Sequence, residues 1–92
     1  MNFKFIGWCQ TTKSDKVWGV IAISESAVLI FWGRRGAKLQ TKISTYNWDI
    51  SKLIDSKISK GYIAVNKNGL DKVYPEFQRD LEKTTIWATL KI

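Results

Sequence analysis

Residues 27–46 read AVLIFWGRRGAKLQTKISTY, and most of the architecture turns on how this stretch is parsed. The run AVLIFW (27–32) is short, apolar and rich in β-branched and aromatic side chains, which suits a buried strand. Gly33-Arg34-Arg35-Gly36 breaks it. In residues 38–46, Leu39, Thr41, Ile43 and Thr45 alternate with Lys38, Gln40, Lys42 and Ser44, the period of two expected of a strand with two unlike faces. A strand, a four-residue glycine-bounded turn and a second strand make an antiparallel pair.

Working outward, residues 2–10 (NFKFIGWCQ) and 16–24 (KVWGVIAIS) also read as strands. The polar loop 11–15 separates them, and Ser24-Glu25-Ser26 links the second to Ala27. Connections this short imply an antiparallel meander. The period changes after Tyr46. Ile50, Leu53, Ile54 and Ile58 recur at three- and four-residue spacing, which places them on one face of a helix over about 48–60. Asn47 or Asp49 can cap its start, Lys57 and Lys60 suit its C-terminal dipole, and Gly61 suits the left-handed residue that ends it. Beyond it, 62–65 reads as a strand and Asn66-Lys67-Asn68-Gly69 as a turn. Pro75 is expected at the first position of a short helix over 75–83, and 84–92 (TTIWATLKI) as a final strand. The fold class is α+β: a curved antiparallel β-sheet with one main amphipathic helix on one face and a C-terminal helix/strand extension.

The chain has 92 residues, the size of a single domain. Hydrophobic residues make up 45% and aromatics 13%, a composition for a folded core and not for a disordered segment. Fifteen Lys and Arg against eight Asp and Glu give +7, with no His to alter it near neutral pH. Such an excess favours polyanions through counterion release, and it also serves solubility. The lone Cys9 has no internal disulfide partner, and no signal-peptide pattern opens the sequence. An intracellular protein is expected: bacterial or phage-infected host cytoplasm, or the nucleus if eukaryotic. No apolar run approaches the ~20 residues that span a bilayer, so no membrane partner is expected.

Catalysis finds little chemistry to use. There is no His, no Cys/His pair, and Asp15, Glu25, Asp49 and Asp55 fall on separate elements. Glu76 and Asp80, four apart, read as an ordinary helix face. The expectation is a non-enzyme with no cofactor and no metal site.

The turn offers binding chemistry instead. Two glycines permit positive φ and close approach of a ligand to the backbone. Trp32 offers a face for stacking on a sugar or base. Arg34 and Arg35 offer planar forks that match phosphate oxygens, although in a tight turn they cannot both point the same way. Lys38 and Lys42 fall on one side of the following strand with Gln40 between them, and residues 32–46 hold four cations and no carboxylate. Trp18, Trp48 and Trp87 suit the core or its rim, Trp8 either setting, and Lys52, Lys57 and Lys60 a solvated helix face.

FWGRRG (31–36) followed by KLQTK (38–42), preceded by the strand KVWGVIAI (16–23) and followed by a helix closing in KISKGY (57–62), resembles the WGR domain, named for its Trp-Gly-Arg. The resemblance covers about residues 2–62. It implies a curved antiparallel sheet with a packed helix. Such domains occur in poly(ADP-ribose) polymerases and in small stand-alone bacterial and phage proteins, and in the polymerases they bind DNA near strand ends, so the resemblance also implies a DNA-binding module. By motif position, stacking falls to Trp32 and the backbone contact to Arg34, with Gly33 in the turn and Arg35 as a secondary phosphate neighbour. Lys42, Lys38 and Gln40 occupy the stretch that faces DNA in that family. Leu39 stands where the family has a glycine before the Gln, and residues 63–92 have no counterpart. Nucleic acid, DNA before RNA, is therefore the expected partner. The alternative is a protein-interaction module or a small homodimer that binds no nucleic acid.

Overall fold

Strand β3 (Ala27–Arg34) has large apolar side chains on both of its faces, and in the structure, a computed structural model describing residues 2–45 and 48–84, both faces are covered. The sheet is antiparallel, curved and not closed, in the order β4-β3-β2-β1-β5. Its other strands are β1 (Asn2–Gln10), β2 (Asp15–Ala22), β4 (Gln40–Thr45) and the two-residue β5 (Ile63–Ala64). Helix α1 (Trp48–Ser59) follows β4, and α2 (Lys67–Val73) and α3 (Phe77–Glu82) follow β5. The expected α+β sheet and main helix are present. No helix of the described residues is long and apolar enough to cross a membrane.

Register decides which side chains meet, because opposed residues of an antiparallel pair project from the same face. On one face Trp18 lies opposite Trp32, Val20 opposite Ile30 and Ala22 opposite Val28. This face packs with Cys9, Ile50 and Tyr62, and with the half-buried Phe5, Trp32, Leu53 and Ile54. On the other, Val17, Ile21, Leu29 and Phe31 join Ile6 and Leu39 under Leu70, Tyr74, Phe77 and Leu81 of the C-terminal helices. The sheet is thus sandwiched, and not covered on one face only. Helices α2 and α3, in the stretch without a counterpart in the resembled family, supply the second layer.

The second core is aromatic. Phe31 lies 4.9 Å from Phe77 and 6.3 Å, edge-on, from Phe3, while Tyr74 meets Phe77 at 5.7 Å. Phe31 sits opposite Gly19 in the β2–β3 register. A side chain at Gly19 would collide with the Phe31 ring and stand 2.8 Å from the Phe5 carbonyl oxygen.

Helix α1 ends as its sequence suggests. Gly61 has φ +105°, its N–H donates to Ile58 O, and the N–H of Tyr62 donates to Lys57 O, the paired bonds of a Schellman motif. Asp49 lies inside the first turn, and Asn47 is outside the described residues. Ile58 departs from the expected buried stripe and is exposed, while Tyr62, which follows Gly61, is buried on this face of the sheet. Asn66-Lys67-Asn68-Gly69 is the start of α2 and not a free turn. The Asn66 side chain accepts a hydrogen bond from the Gly69 N–H at 2.6 Å, so a turn-forming residue acts as a helix cap. Pro75 precedes α3 instead of opening it. The expected final strand over 84–92 lies outside the described residues except for Thr84, which is buried.

Replacing Gly19 with Ala forces the added methyl into the Phe31 ring. Overpacking of this kind costs about 1–3 kcal/mol, measurable as a lower denaturation midpoint with an unchanged denaturant slope.

Candidate functional site

The turn after β3 is held in an unusual shape by its glycines. Gly33 has φ +153° and Gly36 φ +84°. A Cβ at Gly33 would lie 3.1 Å from Leu39 Cδ2, so the missing side chain also makes room for Leu39. Leu39, at the position where the resemblance expects glycine, is buried in the core beneath the C-terminal helices. β3 continues through Gly33 and Arg34 before turning, and the Ala37 N–H closes the turn on Arg34 O at 3.1 Å.

The two arginines part company here. The Arg35 backbone N–H donates to Asp15 O at 2.9 Å, and its guanidinium pairs with Asp15 Oδ2 at 2.6 Å. Its other terminal nitrogen donates to Val73 O at 2.5 Å. Asp15 also accepts from Trp8 Nε1 at 2.9 Å, which gives the half-buried Trp8 a structural place. Arg34 is exposed, and none of the ion pairs found among the described residues involves it.

Arg34 lines a cleft of about 430 Å³ with Trp32, Gly33 and Lys42 from the predicted set. Ile30, Trp18, Leu53 and Tyr62 form its apolar surfaces, and Lys16 and Lys57 add two cations. No carboxylate is among the described residues that line it. The register explains the grouping. Lys16 stands opposite Arg34, Trp18 opposite Trp32 and Lys42 opposite Ile30, all on the face covered by α1. Gln40 is exposed opposite Trp32 on this face but does not line the cleft. Lys38 lies apart from Lys42, in a separate cleft of about 310 Å³ with Gly36, Asp80 and Lys83. β4 begins only at Gln40, so Lys38 belongs to the turn and does not share the strand alternation.

Lys57 is not on a freely solvated face. Its ammonium lies 5.4 Å from the Trp18 ring centre and 5.9 Å from that of Tyr62, while Lys16 lies 5.8 Å from Tyr62. Burial lowers the Lys57 pKa from its ordinary value, and the charges of Lys60 and Lys16 lower it further. Trp32 is half-buried, packed against the core yet facing the cleft. Lys16 and Lys57 were not among the predicted contacts. The signal available was parity for Lys16, two residues before Trp18, and for Lys57 its spacing of three and four from Ile54 and Leu53. Among the described residues no three His, Cys, Asp or Glu cluster to hold a metal.

Beneath the turn, Tyr74 is fully buried. Its hydroxyl donates to Asp80 Oδ2. Burial, with the Asp80 hydrogen bond, pushes the Tyr74 pKa up to about 12.

No protein-family model matches the chain. No curated protein matches its sequence. A solved structure of similar fold is the crystal structure of a protein from Bacteroides fragilis, with TM-score 0.61 and 24% identity, covering 70% of this chain and 20% of that one. The likeness is one of fold, and this chain spans about a fifth of that protein's length.

A tyrosine whose folded pKa lies above its ordinary value of 10.0 contributes stability that is complete below pH 10 and is lost as the pH climbs to about 12. The loss is on the order of 2–3 kcal/mol. Urea midpoints measured from pH 9 upward should fall steeply for the wild type and less steeply for Tyr74→Phe.

Proposed function

We propose that the protein is a non-catalytic nucleic-acid-binding module whose ligand enters the cleft between the Arg34 turn and α1. One observation carries the reading. Lys16, Arg34, Lys42 and Lys57 surround an aromatic-lined cleft with no carboxylate among the described residues that line it. Four like charges this close repel one another in the free protein and are relieved by a polyanion, which also releases its condensed counterions. Trp32, half-buried and open to the cleft, supplies a stacking surface of the kind that every base accepts. The resemblance of the Trp-Gly-Arg turn to the WGR domain supports the same ligand and favours DNA.

In this reading Arg34, Lys42, Lys16 and Lys57 contact phosphates, Trp32 stacks, and Gly33 allows the backbone to come close. Phosphate contacts position a ligand without reading its sequence, so recognition is weakly sequence-dependent. Gln40 is placed to reach a ligand beside Trp32. Arg35 is occupied by Asp15 and Val73.

A second reading, a protein-interaction module or homodimer, is favoured by the sheet's two edges. Among the described residues β4 and β5 are the outer strands, and they expose Ile43 and Ile63. A free edge can take up a strand from another chain.

Electrophoretic and anisotropy titrations with single strands, blunt duplexes and nicked duplexes decide between them. Four phosphate contacts give a log–log salt slope of about −3 to −4. Arg34→Ala, Lys42→Ala and Lys57→Ala should each reduce that slope by about 1. Trp32→Ala should cost about 1–3 kcal/mol of binding with the fold intact. Salt-insensitive binding, or full affinity in Arg34→Ala, refutes the reading. Absence of any shift, with a dimer by light scattering, supports the second.

A further inference from the structure

The binding surface is formed by one side of the turn, and its other side is fastened to the C-terminal helices. The β2–β3 ladder holds the Arg34 backbone opposite Lys16, but the turn that follows, with positive φ at Gly36 and one hydrogen bond closing it, has little of its own to fix its shape. Here the residues flanking Arg34 are tied down away from the cleft. Leu39 is buried against Gly33. Arg35 bridges Asp15 at the start of β2 and the carbonyl of Val73 at the end of α2. Tyr74, next to that carbonyl, is fully buried, and its hydroxyl donates to Asp80 of α3. Asp15 is fixed from a third direction by Trp8. Neither Asp15 nor Arg35 nor Tyr74 lines the cleft.

We infer that Asp15, Arg35 and Tyr74 are positioning residues for the cleft, and that α2 and α3 set its affinity without touching the ligand. The inference rests on the nucleic-acid reading above and adds a regulatory dependence to it. Immobilising Arg34 and Trp32 in advance removes an ordering cost that a free turn would meet on binding. The coupling runs both ways: a ligand that prefers the fastened turn tightens the docking of α2 and α3 by the same factor.

Asp15 makes the test decisive, because two mechanisms predict opposite signs. Asp15→Asn keeps the shape and the acceptor for Trp8 but turns an amide toward the Arg35 guanidinium. It also makes the protein one charge more positive. Simple attraction for a polyanion then predicts tighter binding. Positioning predicts weaker binding, by about tenfold, with the salt slope unchanged because no phosphate contact is lost. Arg35→Lys, which keeps the charge but cannot span Asp15 and Val73 with a planar fork, should weaken binding in the same way.

The experiment measures affinity for a labelled oligonucleotide across a salt series in the wild type, Asp15→Asn, Arg35→Lys and Tyr74→Phe. Hydrogen exchange of the Arg34 and Gly36 amides in each ligand-free protein accompanies it. Weaker binding at constant slope, together with faster exchange at the turn, supports the inference. Tighter binding by Asp15→Asn, wild-type behaviour of Arg35→Lys, or unchanged turn exchange overturns it. A wild type that binds no oligonucleotide overturns the nucleic-acid reading, while the exchange data still report whether Asp15 and Tyr74 hold the turn.

Discussion

Strand β3 turns Val28 and Ile30 to one side of the sheet and Leu29 and Phe31 to the other, and neither side can face water. Burying such side chains contributes about 1.5–3 kcal/mol each, so both faces demand a cover. One cover is α1 with Tyr62, and the other is α2 and α3. The remaining architecture follows from this demand. Gly19 is a glycine because Phe31 crosses β2 at that point. Leu39 is apolar because the turn must close over the same core. The cleft lies where α1 leaves the end of β3 uncovered and Arg34, Lys16 and Lys57 gather around the gap.

Periodicity made the first half of the fold legible. Strands β1 to β4 and helix α1 emerge within a few residues of where alternation and three-four spacing put them. The sandwich was harder to see, although its mark was present. AVLIFW has no polar alternation, and a strand without a polar side is one with covers on both. Residues 63–84 were obscured by local signals with two meanings. Asn66 and Gly69 belong equally to a turn and to a capped helix start, and only the docking of Leu70, Tyr74, Phe77 and Leu81 on the sheet separates them.

For the candidate site, the sequence set Trp32, Gly33, Arg34 and Lys42 together, and the register keeps them together. It also grouped Lys38 and Arg35 with them, because local charge density carries no direction. Arg35 is drawn away by Asp15, twenty residues earlier in the chain, and Lys38 by the late start of β4. Lys57 was hidden for the opposite reason. A lysine on an amphipathic helix is expected in water, yet the Lys57 ammonium lies over the Trp18 and Tyr62 rings at the cleft, where a cation is drawn to an aromatic face.

The bond from Arg35 to Val73 joins residues 38 apart, and closing so long a segment carries an entropic cost that the local hairpins do not face. The hairpins of the β1–β4 meander join neighbouring segments, whereas the fastened turn needs the chain beyond α1. During synthesis, which runs from the N-terminus, the strands bearing Trp32 and Arg34 are made well before Val73 and Tyr74. A nascent chain thus carries every described lining residue of the cleft before it has the residues that hold the turn beside them. The bond makes completion of the fold, and not synthesis of the motif, the event that secures the turn.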